Sequence, residues 1–232
     1  MTALQIALIA VCSVLAIIFI VVRTLKGGHL AFVLKTIASL GFVISGIIGL
    51  GLTNANTWAC ILIVVGLLFG MIGDIVLDLK VIYPDSDRTY LNMGMTSFFL
   101  GHACYIGAFT ILAGETNLLM PLLVAGGGAV VLTLMTTLSG KKMMGLDFGN
   151  YLVQTVGYTY ILNFALVYTL VLAIVGGGMW LTAIGLFVFL LSDIVLSFQY
   201  FGGKIASKPH IAINHTLYYA AQIILLAVLF LL

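Results

Sequence analysis

Apolar runs of about twenty residues recur along the whole chain, the length an α-helix needs to cross the hydrocarbon core of a bilayer. Eight can be placed, near 3–22, 30–51, 57–79, 93–113, 118–138, 150–174, 179–200 and 212–232. This pattern predicts an all-α, polytopic membrane protein with eight transmembrane helices, a single integral domain over residues 1–232. The polar breaks between runs alternate in character. Those at 23–29, 80–92, 139–149 and 201–211 hold Arg23, Lys26, Lys80, Arg88, Lys141, Lys142, Lys204 and Lys208, whereas those around 52–56, 114–117 and 175–178 hold no Lys or Arg. Basic connections stay cytoplasmic, so both termini are expected on the non-cytoplasmic side. The first run lacks a basic leader and exceeds the apolar length of a signal peptide, and so reads as a first span.

Composition strengthens this picture. Of 232 residues, 63% are hydrophobic and 7% charged, with a mean hydropathy of +1.28. That much apolar surface calls for lipid as its solvent. The net charge of +2 comes without a long basic stretch, so nucleic acid is not an expected partner. Cys12, Cys60 and Cys104 all fall inside apolar runs and read as packing residues. The Gly126-Gly127-Gly128 and Gly176-Gly177-Gly178 runs read as close helix packing or short turns, since no strand precedes them.

The informative exceptions are charges within the runs. Gly73-Asp74-Ile75-Val76-Leu77-Asp78 and Ser192-Asp193-Ile194-Val195-Leu196-Ser197 share one frame, with the acids 119 residues apart. A carboxylate inside a span costs roughly 2.5–3.5 kcal/mol on insertion scales, which favours a partner or a task. At the same offset Lys35-Thr36-Ile37 meets Gln154-Thr155-Val156. Gly101-His102-Ala103-Cys104-Tyr105-Ile106 resembles Asn214-His215-Thr216-Leu217-Tyr218-Tyr219 at an offset of 113. Three landmarks in the same order predict two parallel four-helix repeats, about 1–113 and 118–232, related by an axis along the membrane normal.

By this topology Lys35, Asp74, Asp78 and Asp193 lie in the cytoplasmic half of their spans. Asp74 and Asp78 share a helix face, as do His102 and Tyr105, and His215, Tyr218, Tyr219 and Gln222 form one stripe. Tyr151, Gln154 and Tyr158 form another on the sixth span. Polar stripes turn inward because lipid offers no hydrogen-bond partner. The second, third, fourth, sixth, seventh and eighth spans are then expected around a polar cavity open towards the cytoplasmic leaflet. The competing role for each stripe residue is a network that only fixes helix packing. Asp78, nearest the interface, could simply be solvated, and Lys35 could be a counter-ion that keeps a neighbouring Asp ionised. A paired carboxylate site suits acid–base hydrolysis, with one Asp donating a proton and the other, beside Lys35, activating water or stabilising a cation. His102, His215, Asp74 and Asp193 are zinc ligand types, but no tight ligand spacing supports a metal. His29 and His210 fall in connections and read as interfacial residues.

Gly73-Asp74-Ile75-Val76-Leu77, Gly101-His102-Ala103-Cys104-Tyr105-Ile106, Leu191-Ser192-Asp193 and Tyr219-Ala220-Ala221-Gln222, with Lys35 in the second span, resemble the YhhN-like lysoplasmalogenase family across nearly the whole chain. Thr36 follows the lysine where many relatives carry proline, which alters local helix geometry and leaves the chemistry intact. The resemblance implies hydrolysis of the vinyl-ether bond of lysoplasmalogens to a fatty aldehyde and a glycerophospho-alcohol. It implies Asp74, Asp193, His102 and Gln222 as site residues, with a lysophospholipid substrate, membrane lipids around the chain and a bacterial plasma membrane as its setting. Tyr105, Tyr158 and Tyr218 are expected to orient water or the glycerol oxygens. Acid–base chemistry of this kind calls for no cofactor. Two other classes suit the same residues: a small-molecule or proton-coupled transporter, and a metal-dependent lipid amidohydrolase.

Overall fold

The computed structural model describes residues 1–83, 86–114, 118–202 and 207–232. Lys204 of the basic connections, and residues 115–117 of a neutral one, lie outside these. Among the described residues the chain is helical, with no strand. Eight helices are long and apolar enough to cross a membrane. They are α1 (Ala3–Leu25), α2 (Gly28–Leu50), α3 (Thr57–Ile82), α4 (Asp87–Ala113), α5 (Leu119–Met143), α6 (Leu152–Gly176, after a 3₁₀ turn at Gly149–Tyr151), α7 (Trp180–Phe201) and α8 (Lys208–Leu231).

All eight expected spans are present, but several helices outrun their apolar cores. The fourth begins at Asp87 and the eighth at Lys208, where the polar residues read as connections; the fifth continues to Met143. Hydropathy marks the edge of the hydrocarbon layer, whereas backbone hydrogen bonding continues through a polar turn beyond it. Helix ends carry recognisable caps. Thr2 and Gln5 form a reciprocal capping box on α1, and Asn56 Oδ1 accepts from the backbone N–H of Trp58 and Ala59 at the start of α3. Gly114 and Gly177 close α4 and α6 in the left-handed conformation, at φ 59° and 77°. The Gly176-Gly177-Gly178 run thus makes a turn. Gly126 and Gly128 instead bring α5 close to Tyr160, Phe164 and Val167 of α6.

Each helix packs on its sequence neighbours within the series α1–α2–α3–α4 and again within α5–α6–α7–α8. The two series meet where α4 packs on α6 and α8 packs on α2. Helix α1 also packs on α8, whereas α5 packs mainly on α6. The outer faces of α1 and α5 carry exposed Val, Ile and Leu, as lipid-facing helices should; α3 and α8 are the most enclosed.

The tightest seam joins α3 to α4. A β-carbon added at Gly66 would stand 2.4 Å from the Tyr105 ring, and one at Gly73 2.6 Å from Phe98. One at Gly94 would stand 2.4 Å from Leu77, and one at Gly101 3.2 Å from the Gly66 carbonyl oxygen. Small residues on both helices let the backbones close up, as is common where lipid supplies no hydrophobic drive for helix association. This seam holds the acid-bearing face of α3 at a fixed rotation.

Candidate functional site

Asp74 and Asp78 share one face of α3, and Lys35 and Ser39 share one face of α2 opposite them. Lys35 Nζ stands 3.2 Å from Asp74 Oδ1 and 3.2 Å from Asp78 Oδ1, bridging the two acids. The second oxygen of Asp78 pairs with the Arg23 guanidinium, which reaches in from the end of α1 across the Phe19 ring. Two cations therefore face two carboxylates, and the buried cluster is neutral as a whole. That balance lets four charges sit where an isolated one would be expelled.

Asp74 receives two further bonds on Oδ2, from the Ser39 hydroxyl at 2.5 Å and from the Tyr218 hydroxyl at 2.8 Å. Gln222 Nε2 donates to the Tyr218 oxygen at 2.9 Å, one turn along α8. Because Ser39 spends its proton on Asp74, the 3.3 Å contact between Ser39 Oγ and Tyr219 OH has the tyrosine as donor. Gly70, one turn before Asp74, leaves room for Gln222, whose amide nitrogen would lie 3.2 Å from a β-carbon there.

Asp193 on α7 has a simpler environment. The Tyr158 hydroxyl of α6 donates to its Oδ2, and among the described residues no cation pairs with it. Just before it, the Ser192 carbonyl accepts from Asn214 Nδ2 at 2.8 Å, which fixes α8 against α7.

Asp74 and Asp193 open onto one cavity of about 440 Å³, within the range of small-molecule sites. Lys35, Asp78, Tyr158, His215 and Tyr218 also line it, with Leu77, Leu91, Met95 and Phe98 as an apolar wall. The six helices expected around it all contribute, and α1 joins them through Arg23.

His102, Tyr105, Gln154, Tyr219 and Gln222, also expected at the site, do not line this cavity. His102 Nδ1 donates to the Phe98 carbonyl at 2.7 Å, and its ring lies 4.9 Å from Phe189 and 6.0 Å from Tyr158. It therefore backs Tyr158 from behind. Tyr105 is drawn away by the glycine seam, its ring lying over Gly66 and stacked on Phe109. Gln154 is half-buried on α6 with Oε1 unpartnered. Tyr219 and Gln222 reach Asp74 only through Ser39 and Tyr218, around a second, water-sized void of about 10 Å³.

Asp78 is not the solvated interfacial acid that its position suggested: it is 7% exposed and carries both cations. Sequence reasoning missed Arg23, counted there only as a basic residue of a connection. A charge count held the signal, since Lys35 alone cannot neutralise Asp74 and Asp78. Ser39 was also missed, although it follows Lys35 by one helical turn. Among the described residues no group of three His, Cys, Asp or Glu stands close enough to hold a metal ion, so the amidohydrolase reading lacks a ligand set there.

Comparison with the curated proteins and with the solved structures found no match. The sequence model of the YhhN family matches residues 30–229, from near the start of α2 almost to the end of α8, and takes in both aspartates and most of the residues that line their cavity, though not Arg23. The eight-helix membrane protein described here belongs to the YhhN family.

Proposed function

We propose that the protein is a membrane-embedded ether hydrolase that cleaves the vinyl-ether bond of lysoplasmalogens by acid–base catalysis on Asp74 and Asp193. The observation that carries this reading is the contrast between two acids in one cavity. Asp74 is held by Lys35, Ser39 and Tyr218, whereas Asp193 has a hydroxyl donor and no paired cation among the described residues. Cations stabilise a carboxylate, so Asp74 is the ionised member and Asp193 the proton donor.

The reaction follows from those roles. Asp193 transfers its proton to the vinyl carbon remote from oxygen, leaving an oxocarbenium ion that the Asp74 carboxylate stabilises across the cavity. Water adds to the cationic carbon and gives its second proton to Asp74, forming a hemiacetal. Asp74 then returns that proton to the glycerol oxygen as the C–O bond breaks, while the hemiacetal hydroxyl proton passes to Asp193. Fatty aldehyde and glycerophospho-alcohol leave, and both acids regain their starting states. The division of labour parallels the two carboxylates of glycoside hydrolysis, which also passes through an oxocarbenium-like state.

The direct test is incubation of the purified protein with a lysoplasmalogen, with released aldehyde as the readout. Aldehyde formation at a rate set by enzyme concentration is the expected result. No release above that of protein-free micelles, from a folded preparation, overturns the assignment.

A further inference from the structure

We infer that the Phe98 ring is a third catalytic group, an aromatic face in the cavity wall that stabilises the positive charge developing on the substrate between Asp74 and Asp193. This rests on the vinyl-ether reading above and adds to it a residue that transfers no proton.

Phe98 lines the cavity that both acids share. Its ring centre lies 6.5 Å from that of Tyr158, whose hydroxyl donates to Asp193, and 6.1 Å from that of Tyr218, whose hydroxyl donates to Asp74. Phe98 is thus the ring common to the hydroxyl partners of the two acids. It also packs on Gly73, the residue before Asp74, where an added β-carbon would lie 2.6, 2.8 and 3.0 Å from three adjacent ring carbons. Such near-equal distances mean approach to a face, because an edge would present one carbon well ahead of its neighbours. The α3 backbone therefore covers one face of the ring and leaves the other for the cavity.

The ring is held in place before any charge appears. Ser97 Oγ donates to the Phe69 carbonyl at 2.6 Å, which pins α4 against α3 beside it, and Phe189 packs T-shaped on the ring at 6.1 Å. A group positioned in advance needs no reorganisation in the transition state.

The reaction calls for such a surface. Once Asp193 has given its proton to the vinyl carbon, the neighbouring carbon and the ether oxygen share a positive charge in a planar group. Against Leu77, Leu91 and Met95, the rest of that wall, a cation would lose water and gain no charged or polar partner. An aromatic face is negative and attracts a cation within about 6 Å of its centre, most strongly where water is excluded. The other phenyl and phenol rings of the cavity are engaged elsewhere. Tyr158 and Tyr218 bind the acids, Tyr200 lies under the Lys80 ammonium, and Phe201 packs on Phe148.

The test replaces Phe98 in the full chain by mono-, di- and trifluorophenylalanine. Each fluorine drains the negative face while hardly changing the size of the ring. Two unreactive lipids are compared on the purified protein by calorimetry. One is a saturated alkyl-ether lysophospholipid; the other carries a protonated secondary amine in place of the ether oxygen, setting a positive charge where the oxocarbenium ion forms. The wild-type protein is expected to bind the ammonium lipid more tightly. That preference should fall stepwise with each fluorine, by about tenfold over the series, with ether-lipid affinity unchanged. Single-turnover aldehyde release from a lysoplasmalogen should slow in step. If the trifluoro chain does not fold, the mono- and difluoro chains give the slope.

A preference that does not change with fluorination overturns the inference, as does equal weakening of both lipids, which would make Phe98 a packing residue. Stepwise loss of the preference in a protein that releases no aldehyde would defeat the vinyl-ether reaction and keep the ring as a cation site. Aldehyde release at one rate across the series would defeat the role of the ring alone.

Discussion

Ser39 and Tyr158 stand 119 residues apart, and each donates its hydroxyl to the aspartate 35 residues further along the chain. Asp74 and Asp193 are thus approached in the same way, from the preceding helix of each half. The surroundings then diverge. The positions of Lys35 and Asp78 in the first half correspond to Gln154 and Ser197 in the second. At these matched positions the first half carries charges where the second carries none, and the opposite roles proposed for the two acids rest on this difference.

From that asymmetry, Asp74→Asn and Asp193→Asn should each abolish aldehyde release while leaving a folded protein. The expected loss in kcat is at least ~10²–10⁴-fold, as for removal of a general acid or base. Binding of a saturated lysolipid should survive both changes. Near-normal turnover in both variants would show the carboxylates to be structural.

The halves should also carry the same membrane orientation, because four crossings return the chain to its starting side. Together with the basic connections after α1, α3, α5 and α7, this predicts both termini on the side away from the cytoplasm. Reporter fusions at the carboxyl terminus should be active only on the non-cytoplasmic side. A cytoplasmic signal from that fusion contradicts the arrangement.

The helix count was legible because lipid imposes a simple rule, an apolar run of fixed length between polar breaks. Asp74, Asp193 and Lys35 stood out for the converse reason, as charges that such a run should reject. What could not be read was rotation about the helix axis. His102 and Tyr105 belong to a polar stripe, yet the glycines at 66, 73, 94 and 101 seat α4 so that Phe98, Met95 and Leu91 face the cavity instead. Arg23 escaped notice for a different reason. A long side chain at a helix end can return into the protein as readily as it can reach water, and only the position of its partner, Asp78, decides.

The glycine seam makes its own prediction. Gly66→Ala drives a methyl into the buried Tyr105 ring, and Gly73→Ala does the same at Phe98, whose other face is the cavity wall. Each should lower stability by about 1–3 kcal/mol, the usual range for overpacking. Tyr105→Leu, which removes the obstructing ring, should recover part of the loss in the Gly66→Ala background and none in the Gly73→Ala background. Thermal unfolding in detergent reads all of these, and equal recovery in both backgrounds would contradict the contacts described.

The sharpest test of the charge cluster is a double-mutant cycle on Arg23 and Asp78. Arg23→Met keeps much of the side-chain volume and its contact with Phe19, but leaves Asp78 with Lys35 as its one remaining cation among the described residues. The cluster then carries a net negative charge in a largely dry interior. Removing one partner of a buried pair typically costs about 3–5 kcal/mol, mostly through the charge left behind. Asp78→Asn alone leaves the opposite imbalance and should also destabilise. The double variant removes one charge of each sign, leaving Lys35 paired with Asp74 and the cluster neutral again. It should therefore be more stable than the sum of the single losses implies, by 1 kcal/mol or more in order of magnitude, as expected for residues in direct contact. Turnover should follow the same order, since Lys35, released from bridging two acids, can still hold Asp74 ionised. Additive stability losses would mean that Arg23 and Asp78 do not sense one another, and that the cation at the end of α1 serves topology alone.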